Sequence, residues 1–283
     1  MKILPLEDFR KAFDHFLLSE ISDISVGDDF RSVLGYTFRS GGKRLRPYII
    51  RCLCDELLLE QDIANSLGIA VEMFHTGSLI HDDLPSIDND DLRRGNPSLH
   101  KAYGEDLALL AGDFLLIYPV KIILRSSISK NRVIRIIELW TKTSLAVIEG
   151  EYLDVTVRPP FSEDTVRRIH LKKTGELFGF CFASPILCCD DTDVAEKMLE
   201  LGRQFGIAFQ VADDIKDSDL SDHGLGKTPG KDAALSRPSA LNAMNKIEAR
   251  HMISEFIKRR IPEIPFARFR KTVESLTREL IRY

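Results

Sequence analysis

The sequence predicts an all-α fold, a single-domain helical bundle. Apolar residues recur three and four positions apart through most of the chain, no series of alternating strands interrupts them, and the breaks fall at Gly, Pro and Asn. The clearest helix runs from Ile63, with Leu67, Ala70, Val71 and Phe74 on one side and Ile69, Met73 and Ile80 filling much of the other. A helix that is apolar nearly all round needs other helices about it. Comparable periodicity covers about 5–21, 29–39, 45–58, 104–125, 131–155, 163–188, 194–220, 233–260 and 266–282. Gly41-Gly42, Asn96-Pro97, Pro159-Pro160 and the segment from Gly224 to Gly230 separate these stretches. No Pro-, Gly- or Ser-rich linker divides the chain, so residues 1–283 are read as one domain.

Composition narrows the function classes. With 44% hydrophobic and 29% charged residues, the chain has the make-up of a globular protein with a substantial core. A net charge of -4 argues against general nucleic-acid binding, so any anion site must be a local cluster of Lys and Arg. Five scattered cysteines, Cys52, Cys54, Cys181, Cys188 and Cys189, have no zinc-ligand spacing and suit a reducing, cytoplasmic setting. Residues Met1 to Arg10 lack the apolar core of a signal peptide. The most membrane-like run, Leu107 to Leu124, carries Asp113, Pro119 and Lys121 and is read as a buried helix rather than a membrane span.

Two acidic clusters interrupt apolar helices. Asp82 and Asp83 sit where the first of these helices is still running; Asp88, Asp90 and Asp91 follow, and then Arg93-Arg94. A solvated acidic loop would explain such a segment in isolation. Carboxylates at the end of a buried helix, with arginines at once behind them, suggest instead a site for metal ions and polyanions. The second cluster, Asp213-Asp214-Ile215-Lys216-Asp217, breaks the apolar run from Phe205 to Ala212. At about 100° per residue, Asp213 and Asp217 share a helix face, with Gln210 one turn earlier and Asp214 beside them. One DDxxD stretch arises by chance; two embedded in buried helices do not. Oxygen-only ligands select hard cations, and Mg²⁺ completes its shell with substrate phosphates.

Three basic elements supply the complement. Gly41-Gly42-Lys43-Arg44-Leu45-Arg46-Pro47 is a loop leading into a helix, whose Lys43 and Arg46 can grip a phosphate. Lys172-Lys173-Thr174-Gly175 lies inside a largely apolar helix. Leu225-Gly226-Lys227-Thr228 belongs to a Gly-rich basic loop that can close as a lid, without P-loop spacing.

With these motifs in this order, nearly the whole chain resembles the trans-type (E) polyprenyl diphosphate synthases, most nearly the short-chain farnesyl and geranylgeranyl enzymes. The resemblance implies a helical bundle of the isoprenoid synthase type with a central cavity, and a homodimer. It implies that Asp82, Asp83 and Asp88 on one side, and Asp213, Asp214 and Asp217 on the other, ligate about three Mg²⁺ ions around the allylic diphosphate. Arg93, Lys173 and Lys227 would help to hold that diphosphate. Lys43, Arg46, His75 and Arg94 would bind isopentenyl diphosphate, while Thr174 and Gln210 stabilise the carbocation. The allylic partner would be dimethylallyl, geranyl or farnesyl diphosphate. Departures are Gly150-Glu151, where the family often has Gly-Gln, and a shortened basic segment, Ser236 to Leu241.

The resemblance also implies that residues one turn before Asp82 form a floor beneath the growing chain. Here these are Gly77 and Ser78, both small, with Met73 and Phe74 about 6 Å deeper. The expected product is therefore longer than ten carbons, geranylgeranyl (C20) in preference to farnesyl (C15) diphosphate, with Phe114 and Tyr118 as side chains that can raise the floor. A terpene cyclase would need no second diphosphate site, and a regulatory subunit would need neither acidic cluster complete.

Overall fold

The structure is a computed structural model that describes residues 4–222 and 237–281. Helices dominate, as expected, and the chain groups into two compact units, Met1–Val133 and Ile134–Tyr283. Lys227, and with it the expected lid, lies outside the described residues.

In the first unit, α1 (Leu6–Ser22) and α2 (Asp28–Arg39) each place two acids in their first turn, where the helix dipole favours negative charge. α3 (Leu45–Glu56) and α4 (Gln61–Asp82) follow. α4 is buried on almost every side, from Ile63 and Leu67 to Phe74 and Ile80, and it packs on both α3 and α6 (Glu105–Arg125). Small residues hold α4 and α6 close: a Cβ on Gly77 would stand 3.0 Å from the Leu115 Cβ and 3.1 Å from the Gly112 carbonyl. α6 is long and apolar enough to cross a membrane. Its Ala108, Ala111, Gly112 and Leu115 are nevertheless buried within the unit, as a core helix requires.

Between α4 and α6 the chain makes two elements absent from the periodicity. A two-residue ladder pairs Leu92 with Pro97 and Arg93 with Asn96, and a short helix, α5, covers Leu99–Tyr103. Both are too short to leave a periodic signature.

The second unit contains most of α7 (Lys130–Thr156), with α8 (Glu163–His170), α9 (Glu176–Leu187) and α10 (Thr192–Asp222). The expected single helix over 163–188 is instead divided by a π-helical turn, Leu171–Gly175. The expected helix over 233–260 is also divided. Its described part has a turn at Ala240–Ala243, then Met244 in extended conformation, then a new helix over Lys246–Glu255. Asn245 caps that helix by accepting from Ile247 and Glu248, and the Glu248 side chain accepts from the Asn245 N–H. This reciprocal cap satisfies the new helix start better than continuation would.

Glycines bring α9 and its π turn onto α10. A Cβ on Gly206 would lie 2.6 Å from the Gly175 Cα, and one on Gly202 would lie 2.8 Å from the Gly179 Cα. Without side chains there, the backbones nearly touch, and the residues beside each glycine are carried into contact.

Candidate active site

In the first unit, the end of α4 folds back on itself. The Asp88 N–H donates to the Asp82 carbonyl at 2.9 Å and the Asp90 N–H to the Asp83 carbonyl at 3.1 Å, so the longer acidic motif turns Asp88 back beside Asp82. Asp83 points elsewhere. It is buried, and the Arg93 guanidinium grips it through Nε at 3.0 Å and through Nη2. Burial pushes the Asp83 carboxyl up, against the pull of Arg93. In this structure the oxygens of Asp83, expected to ligate Mg²⁺ directly or through water, face the Arg93 guanidinium. Neighbours on a helix point about 100° apart, which is why Asp82 and Asp83 part company.

The basic loop divides its charges similarly. Lys43 is exposed and Arg46 half-buried at the start of α3, whereas Arg44 turns inward and is 2% exposed. Arg44 adopts the left-handed conformation (φ 50°). It donates to Asp14 of α1 at 2.7 Å, to the buried Glu72 of α4 at 2.5 Å and to the Phe38 carbonyl at 3.3 Å. A Cβ on Gly42 would sit 2.8 Å from the Arg44 Nη1, so glycine there leaves room for the anchor. Arg94, also left-handed (φ 54°), donates to the Gly41 carbonyl. The unit therefore brings the arginine hairpin and the Gly-Gly loop together. His75 lies among these groups: burial first, then Arg46, Arg94, Arg93 and Arg44, holds its imidazole well below the usual range and therefore neutral. A neutral imidazole beside arginines can donate to a phosphate without adding repulsion among the cations.

In the second unit, the π turn places Lys173 and Thr174 against α7 and α10. Gly150 makes this possible, since a Cβ there would overlap the Lys173 backbone. Lys173 Nζ then lies 2.6 Å from Glu151 and 2.8 Å from Asp154. The Thr174 hydroxyl donates to Gln210 Oε1 at 2.9 Å, and Gln210 Nε2 donates to Asp214 Oδ1 at 3.0 Å. Gln210 is one turn beyond Gly206 and Thr174 is next to Gly175, so the glycine contact sets this pairing.

Asp214 is likewise held by donors. Its Oδ2 accepts from the Ala240 N–H at 2.7 Å and the Ser239 hydroxyl at 3.1 Å, with His170 Nε2 at 3.4 Å. Burial alone would push its carboxyl up, but His170, Ala240 and Gln210 together hold it below the usual range. With donors on both oxygens, Asp214 ties α10 to the segment after it. Asp213 and Asp217, one turn apart on α10, remain half-buried.

Arg44, Glu72, Asp14 and His170 were not singled out by the sequence. Glu72 had a readable signal, a lone acid inside the apolar stretch of α4, whereas Arg44 was hidden in a basic motif as one charge among three. Among the described residues, no three His, Cys, Asp or Glu side chains gather closely enough to hold a metal ion by themselves. The donor set nevertheless fits Mg²⁺. Asp82, Asp83 and Asp88 in the first unit, and Asp213, Asp214 and Asp217 in the second, offer only carboxylate oxygens, and the backbone turn brings Asp88 back beside Asp82.

A helical frame in which aspartates end one apolar helix and interrupt another, with Lys or Arg nearby in each case, suits a diphosphate-handling protein of the isoprenoid synthase type. The sequence profile of the family described as polyprenyl synthetase matches residues 28–264, and the chain belongs to that family. It is 33% identical over 266 residues to a farnesyl diphosphate synthase of Bacillus subtilis, covering 89% of this chain and 88% of that one. It is 37% identical over 227 residues to a chloroplastic geranylgeranyl pyrophosphate synthase of Capsicum annuum, covering 78% of this chain and 62% of that one. The solved geranyltranstransferase of Thermotoga maritima superposes with a TM-score of 0.82 at 31% identity, over 97% of this chain and 98% of that one. A geranyltransferase from Helicobacter pylori, complexed with magnesium and isoprenyl diphosphate, shares the fold at 22% identity (TM-score 0.83, 100% of each chain). The chain is a prenyltransferase of the short-chain prenyl diphosphate synthase class.

Proposed function

We propose that the whole chain, 1–283, condenses isopentenyl diphosphate head-to-tail with dimethylallyl, geranyl or farnesyl diphosphate, giving geranylgeranyl in preference to farnesyl diphosphate. The observation that carries this reading is the hydrogen-bonded chain from Thr174 through Gln210 to Asp214, beside Lys173. Oxygen dipoles held in fixed positions stabilise a developing allylic cation without attacking it, and no protein nucleophile is required. Lys43, Arg46, Arg94 and neutral His75 bind the diphosphate of isopentenyl diphosphate. Arg93, Lys173 and Lys227 bind the allylic diphosphate and neutralise charge as it departs. Mg²⁺ would be held, directly or through water, by Asp82, Asp83 and Asp88 and by Asp213, Asp214 and Asp217 together with the diphosphate, and would supply further charge neutralisation at the leaving group; the magnesium in the Helicobacter pylori structure supports this. The proton lost after addition goes to the released diphosphate.

The preference for a longer product rests on Ser78, half-buried with its hydroxyl donating to the His75 carbonyl at 2.9 Å, and on Met73 and Phe74 deeper in α4. Gly77, the other small residue expected at this floor, packs against α6, where a Cβ would stand 3.0 Å from the Leu115 Cβ. Homodimerisation is supported by an exposed apolar row on α6, Leu110, Ile117 and Leu124, at seven-residue steps and 55%, 72% and 60% exposed. A second row on α7, Leu145, Ile148 and Tyr152, adds to it. A cytoplasmic location is proposed from cysteines such as Cys181 and Cys188, buried thiols that donate to the carbonyl one turn back.

The test is incubation with Mg²⁺, dimethylallyl diphosphate and labelled isopentenyl diphosphate, followed by chromatography of the dephosphorylated products. A C20 alcohol is expected; absence of any chain-extended product refutes the reading.

A further inference from the structure

The last turn of α4 is fastened to α6 by a side chain that the reaction itself does not use. His81, immediately before Asp82, reaches across to α6, where its Nε2 lies 3.1 Å from the Leu109 carbonyl oxygen and 3.6 Å from the Asp113 carboxylate. A carbonyl only accepts, so Nε2 carries the proton and donates; with two lone pairs, the Leu109 oxygen can take this bond and still serve its own helix. The ring fits because α6 has a glycine at that point. A Cβ on Gly112 would overlap the imidazole, and the three atoms nearest to it all belong to His81. Gly112 is thus a cradle for this one ring. One turn earlier on α4, a Cβ on Gly77 would stand 3.1 Å from the Gly112 carbonyl, so the backbones are already close where His81 adds its polar tie.

The acidic turn hangs from the residues that this tie fixes. The Leu84 N–H donates to the His81 carbonyl at 3.1 Å, the Asp88 N–H to that of Asp82 at 2.9 Å and the Asp90 N–H to that of Asp83 at 3.1 Å. The last carbonyls of a helix have no partner within it, and helix ends fray. Here those carbonyls carry the turn, so fraying of α4 would swing Asp82 and Asp88 together. We propose that His81 is a positioning residue for the first acidic motif: its bond to the Leu109 carbonyl, seated on Gly112, holds the end of α4 in the orientation in which the Asp82–Asp88 turn receives Mg²⁺ and diphosphate. This rests on the reading of that motif as a magnesium and diphosphate site. His81 acts through the carboxylates and is not itself a ligand.

The test is calorimetry of inorganic pyrophosphate binding in the presence of Mg²⁺, which needs no turnover, at a temperature where circular dichroism shows every variant folded. His81→Phe keeps a ring in the cradle and loses the donor; Gly112→Ala keeps the donor and displaces it. Each should weaken pyrophosphate binding about fivefold, the factor that one hydrogen bond of ordinary net strength represents. Each should also raise the Mg²⁺ concentration needed for half-maximal turnover, with the KM for isopentenyl diphosphate unchanged. His81→Gln, whose amide nitrogen can reach the place of Nε2, should restore most of the binding. In a His81→Ala background, Gly112→Ala should have no further effect, because the methyl then meets no ring. A ring that merely fills space would let His81→Phe bind like wild type, and a Gly112→Ala loss that persists without the imidazole would place the damage in α6 itself; either result overturns the proposal. Should His81→Phe fail to fold, the Gly112→Ala comparison with and without the imidazole decides alone. Wild-type protein that binds no pyrophosphate with Mg²⁺ refutes the underlying reading of the site; wild type that binds, with His81→Phe and Gly112→Ala binding equally well, refutes only the role of His81.

Discussion

Removing the charge of either Arg44 or Glu72 should cost more stability than any other single change near the basic loop. The two side chains are 2% and 3% exposed, joined at 2.5 Å, with Asp14 as a second and more accessible partner at 2.7 Å. Breaking a buried pair by deleting one member costs about 3–5 kcal/mol, because the other charge is left without compensation in a poorly polarisable interior. At about 2–4 °C per kcal/mol for a chain of this size, Arg44→Met or Glu72→Met should lower Tm by about 6–20 °C. The double variant, which leaves no uncompensated charge at this site except the partly hydrated Asp14, should lose clearly less than the sum of the single losses. Thermal melts followed by circular dichroism at one fixed protein concentration, with urea titrations beside them, measure this cycle. The loop that Arg44 anchors also carries Lys43, so the single variants should raise the KM for isopentenyl diphosphate. Losses under about 1 kcal/mol in both single variants, or strict additivity in the double, would refute the anchoring role.

Three further outcomes follow from the same geometry. Gly206→Ala places a methyl 2.6 Å from the Gly175 Cα, so it should destabilise by about 1–3 kcal/mol and, by displacing Thr174 from Gln210, lower kcat; an unchanged Tm contradicts the close backbone contact. His75 is held neutral when folded but takes a proton near pH 6.5 when unfolded, so acidification below that value favours the unfolded chain. His75→Gln should reduce this loss in urea titrations compared at pH 7.5 and 5.5. For product length, Ser78→Phe should shift the chromatographed alcohols toward shorter chains. Gly77→Ala should instead mainly lower Tm, since its Cβ meets α6; a product shift on Gly77→Ala with an unchanged Tm contradicts that assignment.

Much of this molecule was legible in the order of its residues. The apolar surround of α4 announced a central helix, and its abrupt end in aspartates announced a site. Helical spacing placed Gln210 on the face of Asp213 and Asp217, and the unusual lysines before Gly175 marked the partner turn that meets Gln210 through Thr174. The elements that escaped were short or depended on distant neighbours. The ladder at 92–97 is two residues long on each side, and the π turn at 171–175 is only five residues long, between helices that run directly into it.

What the sequence determined by itself is chemistry and order: which residues are acidic or basic, that they lie on or beside helices, and in what succession. Tertiary structure decided which member of each charged group does what. Of Asp82 and Asp83, the second is taken by Arg93; of Asp213 and Asp214, the second is taken by Gln210, Ser239 and the Ala240 N–H; of Lys43, Arg44 and Arg46, the middle one is buried against Glu72. The reason is geometric. Adjacent residues on a helix diverge by about 100°, so a doubled charge always sends its two members to different surroundings. Which surroundings those are depends on helices contributed from far along the chain.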